Sequence, residues 1–238
     1  MIKSGIDQEA ISQMFAQATA KQGETLRHTV SEATLKALQG RELTLENIKK
    51  VLKTVTTAAS AGAAQNSASG VDMESMLTKA FAGMDAALLQ AVEANRTALQ
   101  HLVDNGASLQ NSQFKGALAS IEKMEDTFFT TVTKAAQSGT GPMQAPWEHV
   151  LSAMKLKGTD TGAQASQTVE QVLAQTQTAL REGRAASAKA MQGMLDGYAS
   201  LVSGVLIGMS EGLRQGGTAG AAAPNAKAAG SVKRPSSK

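Results

Sequence analysis

The chain contains no cysteine, which excludes disulfides, thiolate metal sites and thiol catalysis. Prolines number only four, at Pro142, Pro146, Pro224 and Pro235, so the first 141 residues hold no obligate helix breaker. Aromatic residues are as scarce: Phe15, Phe81, Phe114, Phe128, Phe129, Trp147 and Tyr198 are the only seven among 238 residues. Alanine, methionine, leucine and valine must therefore supply the apolar surface. Small side chains bury little area each and suit close helix–helix contact better than a thick core. Long hydrophobic runs are missing too. The N-terminus, Met1 to Glu9, lacks the continuous apolar stretch of a secretory signal. The most apolar stretch, Leu201 to Met209, is too short to span a bilayer and is flanked by Asp196 and Glu211. These absences lead us to expect a cytoplasmic protein with no transmembrane span.

The formal charge of +3 is unevenly spread. From Arg214 onward there are five cations and no acid, which leaves the first 213 residues with 18 cations against 20 acids. Residues beyond Gln215 are rich in Gly and Ala, then in Pro, Lys and Ser. Such a composition buries too little surface to offset its ordering entropy, so a disordered tail is expected at 215–238. Its cations Lys227, Lys233, Arg234 and Lys238 would at most hold phosphate-rich polymers weakly, as non-specific nucleic-acid contact, with no sequence readout.

What is present is helix-forming. Ala, Gln, Glu, Lys and Met lose little rotamer freedom in a helix, and apolar residues recur by threes and fours. A first helix is expected from Gln8 to Gln39, with Gly23 a weak point and Gly40 a stop. Thr44 then caps a second, with the stripe Leu45, Ile48, Leu52, Val55, Ala59 and Gly62. Gln65 to Gly70 reads as a loop. A third helix begins near Asp72 and ends at Asn105-Gly106. Its stripe is Leu77, Phe81, Met84, Leu88, Ala91, Asn95, Leu99 and Leu102. Asn95 is the polar member of that seam, either pairing with a partner to fix register, as in a coiled coil, or exposed where the stripe drifts. A fourth helix carries Phe114, Leu118, Ile121, Phe128 and Val132 and closes near Ser138-Gly139.

Thr140 to Pro146 is the clearest break. The chain thus divides into a helical region 1–139, a break with a short helix at 140–160, a long helix at 161–214 and the tail at 215–238. In the short helix, bearing Trp147, Val150, Leu151 and Met154, Pro146 should take the first position. After a linker from Lys155 to Asp160, Thr161 and Gln164 form a capping box. The stripe Val169, Leu173, Thr176, Leu180 and onward to Gly212 would make a rod of roughly 75 Å at ~1.5 Å per residue. That is too long for a compact unit, so the rod must kink, oligomerise or project. The expected fold class is all-α, with long amphipathic helices in an elongated bundle or coiled coil.

No catalytic constellation stands out. Asp160-Thr161-Gly162 matches the short signature of aspartic proteases, but that chemistry needs two such loops after apolar strands so that two carboxylates share a proton. The sequence holds one, in a helical context, where a helix N-cap accounts for it. His28, His101 and His149 are single and far apart, without second ligands at helical spacing. No phosphate loop, dinucleotide fingerprint or nucleophile elbow occurs. We therefore expect no enzyme, no cofactor and no metal.

The most distinctive feature is Gly193, Gly197, Gly204, Gly208 and Gly212 in the last helix. Each glycine costs a helix about 1 kcal/mol against alanine. Their four-residue steps point to close backbone approach by another helix, as small-xxx-small contacts do. Adsorption of this apolar stretch on a membrane or other apolar surface is the alternative.

Thr34-Leu35-Lys36-Ala37-Leu38-Gln39-Gly40-Arg41, Gly158-Thr159-Asp160-Thr161-Gly162 and Ser203-Gly204-Val205-Leu206-Ile207-Gly208-Met209 resemble a bacterial family of unknown function over roughly residues 25–213. The Ala/Met/Gln-rich amphipathic helices and the Ala/Pro/Lys tail are, in composition and pattern, similar to phasins, which coat polyhydroxyalkanoate storage granules. That likeness implies a homo-oligomer whose apolar stripe lies on a hydrophobic granule surface with its charged face in water. A cytoplasmic coiled-coil scaffold is the competing expectation, and a membrane-active helical protein the third.

Overall fold

The computed structural model describes residues 23–39, 43–65, 72–105, 112–138, 143–181 and 197–216. Among them are eight helices and no strand: α1 Gly23–Leu38, α2 Leu45–Gln65, α3 Met73–Asp104, α4 Ser112–Glu122, α5 Met124–Ser138, α6 Gln144–Lys157, α7 Asp160–Arg181 and α8 Tyr198–Gly216. The expected helix before Gly23, the stop at Gly40 and the tail from 217 onward lie outside the described residues.

The fold is built around α3. Its N-cap is Asp72, whose carboxylate accepts the Glu74 and Ser75 amides at 3.1 and 3.2 Å, satisfying two donors that no helix turn can reach. Of its 32 residues 17 are buried, too many for one face. The helix is accordingly enclosed, with α1, α2, α4, α6, α7 and α8 all packed against it. Alanines at 80, 87, 91, 94 and 98 keep its buried surface thin, which lets six neighbours approach one axis.

The closest approach is at Gly83. A Cβ there would stand 2.6 Å from the Arg27 carbonyl oxygen and 2.8 Å from Val30 Cβ, so α1 rests on the α3 backbone. Opposite, Phe81 stacks on Phe128 of α5 with ring centroids 4.5 Å apart, and Phe129 lies 5.6 Å from Phe81. Such pairs add about 0.5–1.5 kcal/mol beyond the area they bury. The few aromatics are thus concentrated where they count: Phe81, Phe114, Phe128 and Trp147 are among the largest fully buried side chains.

Thr44 caps α2 as expected, its Oγ1 accepting the Asn47 amide at 3.2 Å. Trp147 is fully buried, and its indole N–H donates to Ser60 Oγ at 2.9 Å, tying α6 to α2. Several boundaries differ from expectation. The fourth helix is two, α4 and α5, parted by a turn at Lys123, although Lys123 and Thr127 keep backbone bonds of 3.2 and 3.0 Å across it. Pro146 is the third residue of α6, still within the first turn, where a missing N–H costs nothing. The linker shrinks to Gly158 and Thr159, because Lys155 to Lys157 complete the last turn of α6.

Within the span expected as one long helix the structure describes two, α7 and α8, with 182–196 between them outside the described residues, and both pack on α3. α7 runs parallel to α3, since Thr161 meets Asp85, Gln164 meets Glu93 and Gln175 meets Asp104. Its buried positions among the described side chains are Thr161, Gly162, Ala165, Thr168, Val172, Thr176 and Ala179. Val169 and Leu173, expected at the centre of the stripe, are only half-buried at its edge. In this frame Val172 is the large apolar side chain on the buried face, and polar contacts to Asp85, Glu93 and Asp104 run along the helix.

Candidate functional site

The densest polar arrangement is the start of α7. A helix leaves its first amides without intrahelical acceptors, and here four successive amides find other partners. Thr159 N–H donates to Glu125 Oε1 at 3.1 Å. Asp160 and Thr161 donate to the two Asp85 carboxylate oxygens at 3.0 and 3.1 Å. Gly162 donates to Thr159 Oγ1 at 2.9 Å. The hydroxyls complete the clamp: Thr159 Oγ1 donates to Glu125 at 2.7 Å, and Thr161 Oγ1 donates to the Asp85 backbone carbonyl at 2.9 Å. A methyl group on Gly162 would collide with the Glu125 carboxylate. Carboxylates from α3 and α5 thus hold one helix N-terminus, where the macrodipole favours negative charge.

The capping box expected on Thr161 and Gln164 is corrected by this geometry. Thr159 is the capping hydroxyl, Thr161 turns inward to α3, and the Gln164 amide donates to Glu93 Oε2 at 3.0 Å. Arg96 also grips Glu93 and draws its carboxyl below the usual range. Asp85 goes the other way: burial raises its pKa, against the lowering effect of the Thr161 and Asp160 hydrogen bonds. Both Asp85 oxygens accept backbone amides, and Asp160-Thr161-Gly162 forms the first turn of α7. Sequence reasoning missed Asp85 and Glu125. The available signal was an acid at Asp85 inside the apolar run Met84 to Leu88.

Asn95 is buried and bonds within the chain. Its amide donates to the Ala91 carbonyl at 2.8 Å, and its Oδ1 accepts the Tyr198 hydroxyl at 2.9 Å. It thus joins α3 to the first turn of α8. Burial raises the Tyr198 pKa, so the phenol stays protonated and donates.

The spaced glycines are placed differently from expectation. Gly197 precedes α8, its carbonyl accepting the Leu201 amide at 3.0 Å, and Gly212 lies within α8. Gly204 and Gly208 are exposed, with nothing within 4 Å of an added Cβ. Close helix approach within the described chain therefore occurs at Gly83 and not at these two. Gly193 and the tail residues Lys227, Lys233, Arg234 and Lys238 lie outside the described residues. α8 docks through Val202 and Leu206, which are buried, and turns Ser200, Gly204, Ile207 and Gly208 outward. Ile207 is 47 % exposed. The other large exposed apolar side chain among the described residues is Leu156, 91 % exposed between Lys155 and Lys157 at the end of α6.

His28 faces Glu32 at 4.0 Å on the surface of α1, and His101 and His149 are exposed. Among the described residues no three His, Asp or Glu side chains gather where a metal ion could be held. An open groove of about 390 Å³ between α5 and α6 is floored by Phe129 and Leu151 and edged by Lys134 and Lys155. Among the described residues no carboxylate or histidine lines it. No described helix is long and apolar enough to cross a membrane.

Comparisons with curated proteins and with solved structures yield no match. A family model does match, over residues 1–215, a span that holds the α7 clamp, Asn95 and the outward face of α8. The chain belongs to that family, a family of unknown function designated DUF6781.

Proposed function

We propose that this chain is a non-catalytic helical protein that works by self-association. The observation that carries the reading is the outer face of α8. Gly204 and Gly208 meet nothing within 4 Å, and Ile207 stands half in water between them. Two helix-weakening glycines on an exposed face have no packing reason within the described chain. A second copy's helix laid along that face would give them one, since small residues let backbones approach closely. Sedimentation of purified protein tests this. Wild type should sediment as a dimer or larger, and Ile207→Glu should weaken association by roughly tenfold or more. Gly204→Leu should act in the same direction by filling the gap. A monomeric wild type would end the reading, as would variants that associate like wild type.

Coating of a hydrophobic storage granule, the phasin-like role, is the second reading. Leu156 favours it: a large apolar side chain fully offered to solvent, with lysines on either side whose stems cover apolar surface while their heads stay wet. The amphipathic stripes themselves are buried in the core around α3. Coating through them would require the bundle to open, whereas contact through Leu156 and Ile207 would not.

A further inference from the structure

We propose that Gly158 is a hinge at which α7 and α8 swing out of their own bundle and dock on α3 of a second copy of this chain. This rests on the self-association reading and names the exchanged element.

Three observations lead there. The connection between α6 and α7 is two residues long, and one of them, Gly158, sits at φ 77°, ψ 174°. Only glycine adopts that conformation without strain, and nothing lies within 4 Å of where its Cβ would be. The backbone turn that folds α7 back thus passes through a residue free to take other torsions. Neither neighbouring helix needs to change: the Gly158 amide already bonds to the Met154 carbonyl at 2.9 Å, and Ala163 bonds to Thr159 at 3.1 Å.

Next, among its described side chains α7 buries one large apolar residue fully, Val172, with Val169 and Leu173 half-buried against the core. Its buried face offers Ala165, Val172 and Ala179 together with Thr161, Thr168 and Thr176. The Thr168 hydroxyl is buried without a hydrogen-bond partner. Elements with few large buried apolar contacts are the ones that open locally.

The last observation selects the occupant. What fixes α7 is a matched polar set: the Asp85 and Glu125 clamp at one end, Glu93 for Gln164 in the middle and Asp104 for Gln175 at 2.9 Å. A polymer or lipid surface offers no partner for these groups, and burying them unpaired is costly. Another copy of the chain offers every one. Exchange through a short hinge then changes little but the hinge itself, which is why it is a low-cost route to dimers.

Because the chain has no cysteine, engineered thiols give an unambiguous test. An Asp104→Cys chain and a Gln175→Cys chain are mixed, unfolded in urea, refolded together and oxidised. The expected product is a covalent heterodimer well in excess of either homodimer, rising several-fold when both chains also carry Gly158→Ala. The double variant in one chain, oxidised at low concentration, should give an intrachain bond and so establish that the two positions meet. A mixture yielding only homodimer background overturns the exchange, as does a heterodimer yield that Gly158→Ala leaves unchanged. If Gly158→Ala chains fail to regain helical circular dichroism, the mixture with Gly158 intact decides alone. Wild type that sediments as an Ile207-dependent dimer without exchanged disulfide removes this inference and leaves self-association standing. A protein monomeric in every form removes both.

Discussion

The Tyr198 hydroxyl donates to Asn95 Oδ1 at 2.9 Å, across 103 residues of chain, with Asn95 buried and Tyr198 half-buried against the apolar core. The Asn95 amide is already committed to the Ala91 carbonyl. The phenol is therefore the partner that keeps Oδ1 from being an orphan acceptor. Tyr198→Phe removes one hydroxyl and leaves a buried acceptor empty, so the variant should be about 1–2 kcal/mol less stable. Urea denaturation monitored at Trp147 measures this. Asn95→Leu in the Tyr198→Phe background should recover part of the loss, because replacing both polar partners removes the unsatisfied group.

Asp85 sets a pH dependence whose sign follows from its burial. Its folded pKa lies above the ordinary carboxylate value, so the folded state binds the proton more tightly than the unfolded chain does. Its contribution is greatest below the unfolded pKa and is lost as pH rises through the raised folded value. Glu93, held below its usual range by Arg96, contributes in the opposite sense, so wild type alone would blur the two. Comparing wild type with Asp85→Asn cancels Glu93. The stability of wild type relative to that variant should increase as pH falls from 7 towards 4, measured by chemical denaturation at each pH. A gap that narrows instead would show that the clamp's hydrogen bonds outweigh desolvation.

Two glycine substitutions should move stability in opposite directions. At Gly83 a methyl group meets the Arg27 carbonyl and Val30, so Gly83→Ala should cost about 1–3 kcal/mol through forced separation of α1 from α3. At Gly116 in α4 a methyl group meets nothing within 4 Å. Gly116→Ala should therefore stabilise by about 0.5–1 kcal/mol through helix propensity alone. Thermal unfolding of the pair checks both signs at once.

The contrast between these glycines marks how far the sequence could be read. Helix existence was legible wherever an apolar stripe coincided with a cap, as at Thr44 with Ile48 to Ala59 and at Asp72 with Leu77 to Leu102. Those signals are local, and a helix within one turn either has its cap or lacks it. Gly83 was not legible, because its neighbour Arg27 lies far back in the chain, on another helix, and glycine spacing in α8 offered a stronger pattern. The α7 frame was misjudged for the same reason. Of its larger apolar residues Val169 and Leu173 stay half-buried while Val172 is fully buried, and Asp85 and Glu125 bind the start of the helix from 75 and 34 residues upstream. Periodicity records which face is apolar, and it carries no trace of a distant carboxylate that anchors one end. The α3 stripe marks Asn95 as its polar residue, while the partner it bonds, the chain's one tyrosine, lies 103 residues away on α8.

The granule-coating reading turns on Leu156, and it separates cleanly from self-association. Leu156 lies at the end of α6, whereas the proposed self-association face, with Gly204, Ile207 and Gly208, lies on α8. Leu156→Glu removes the exposed apolar side chain and places an acid between Lys155 and Lys157 while touching nothing in the core, so folding stability should stay within about 0.5 kcal/mol of wild type. If the protein coats polyester granules through this point, wild type should rise with granules in a density gradient and Leu156→Glu should stay behind, with sedimentation size unchanged. Liposomes run in parallel distinguish a polymer surface from a lipid one. Equal flotation of both proteins would place any coating elsewhere, and no flotation of wild type would leave the apolar faces of this bundle to protein partners alone.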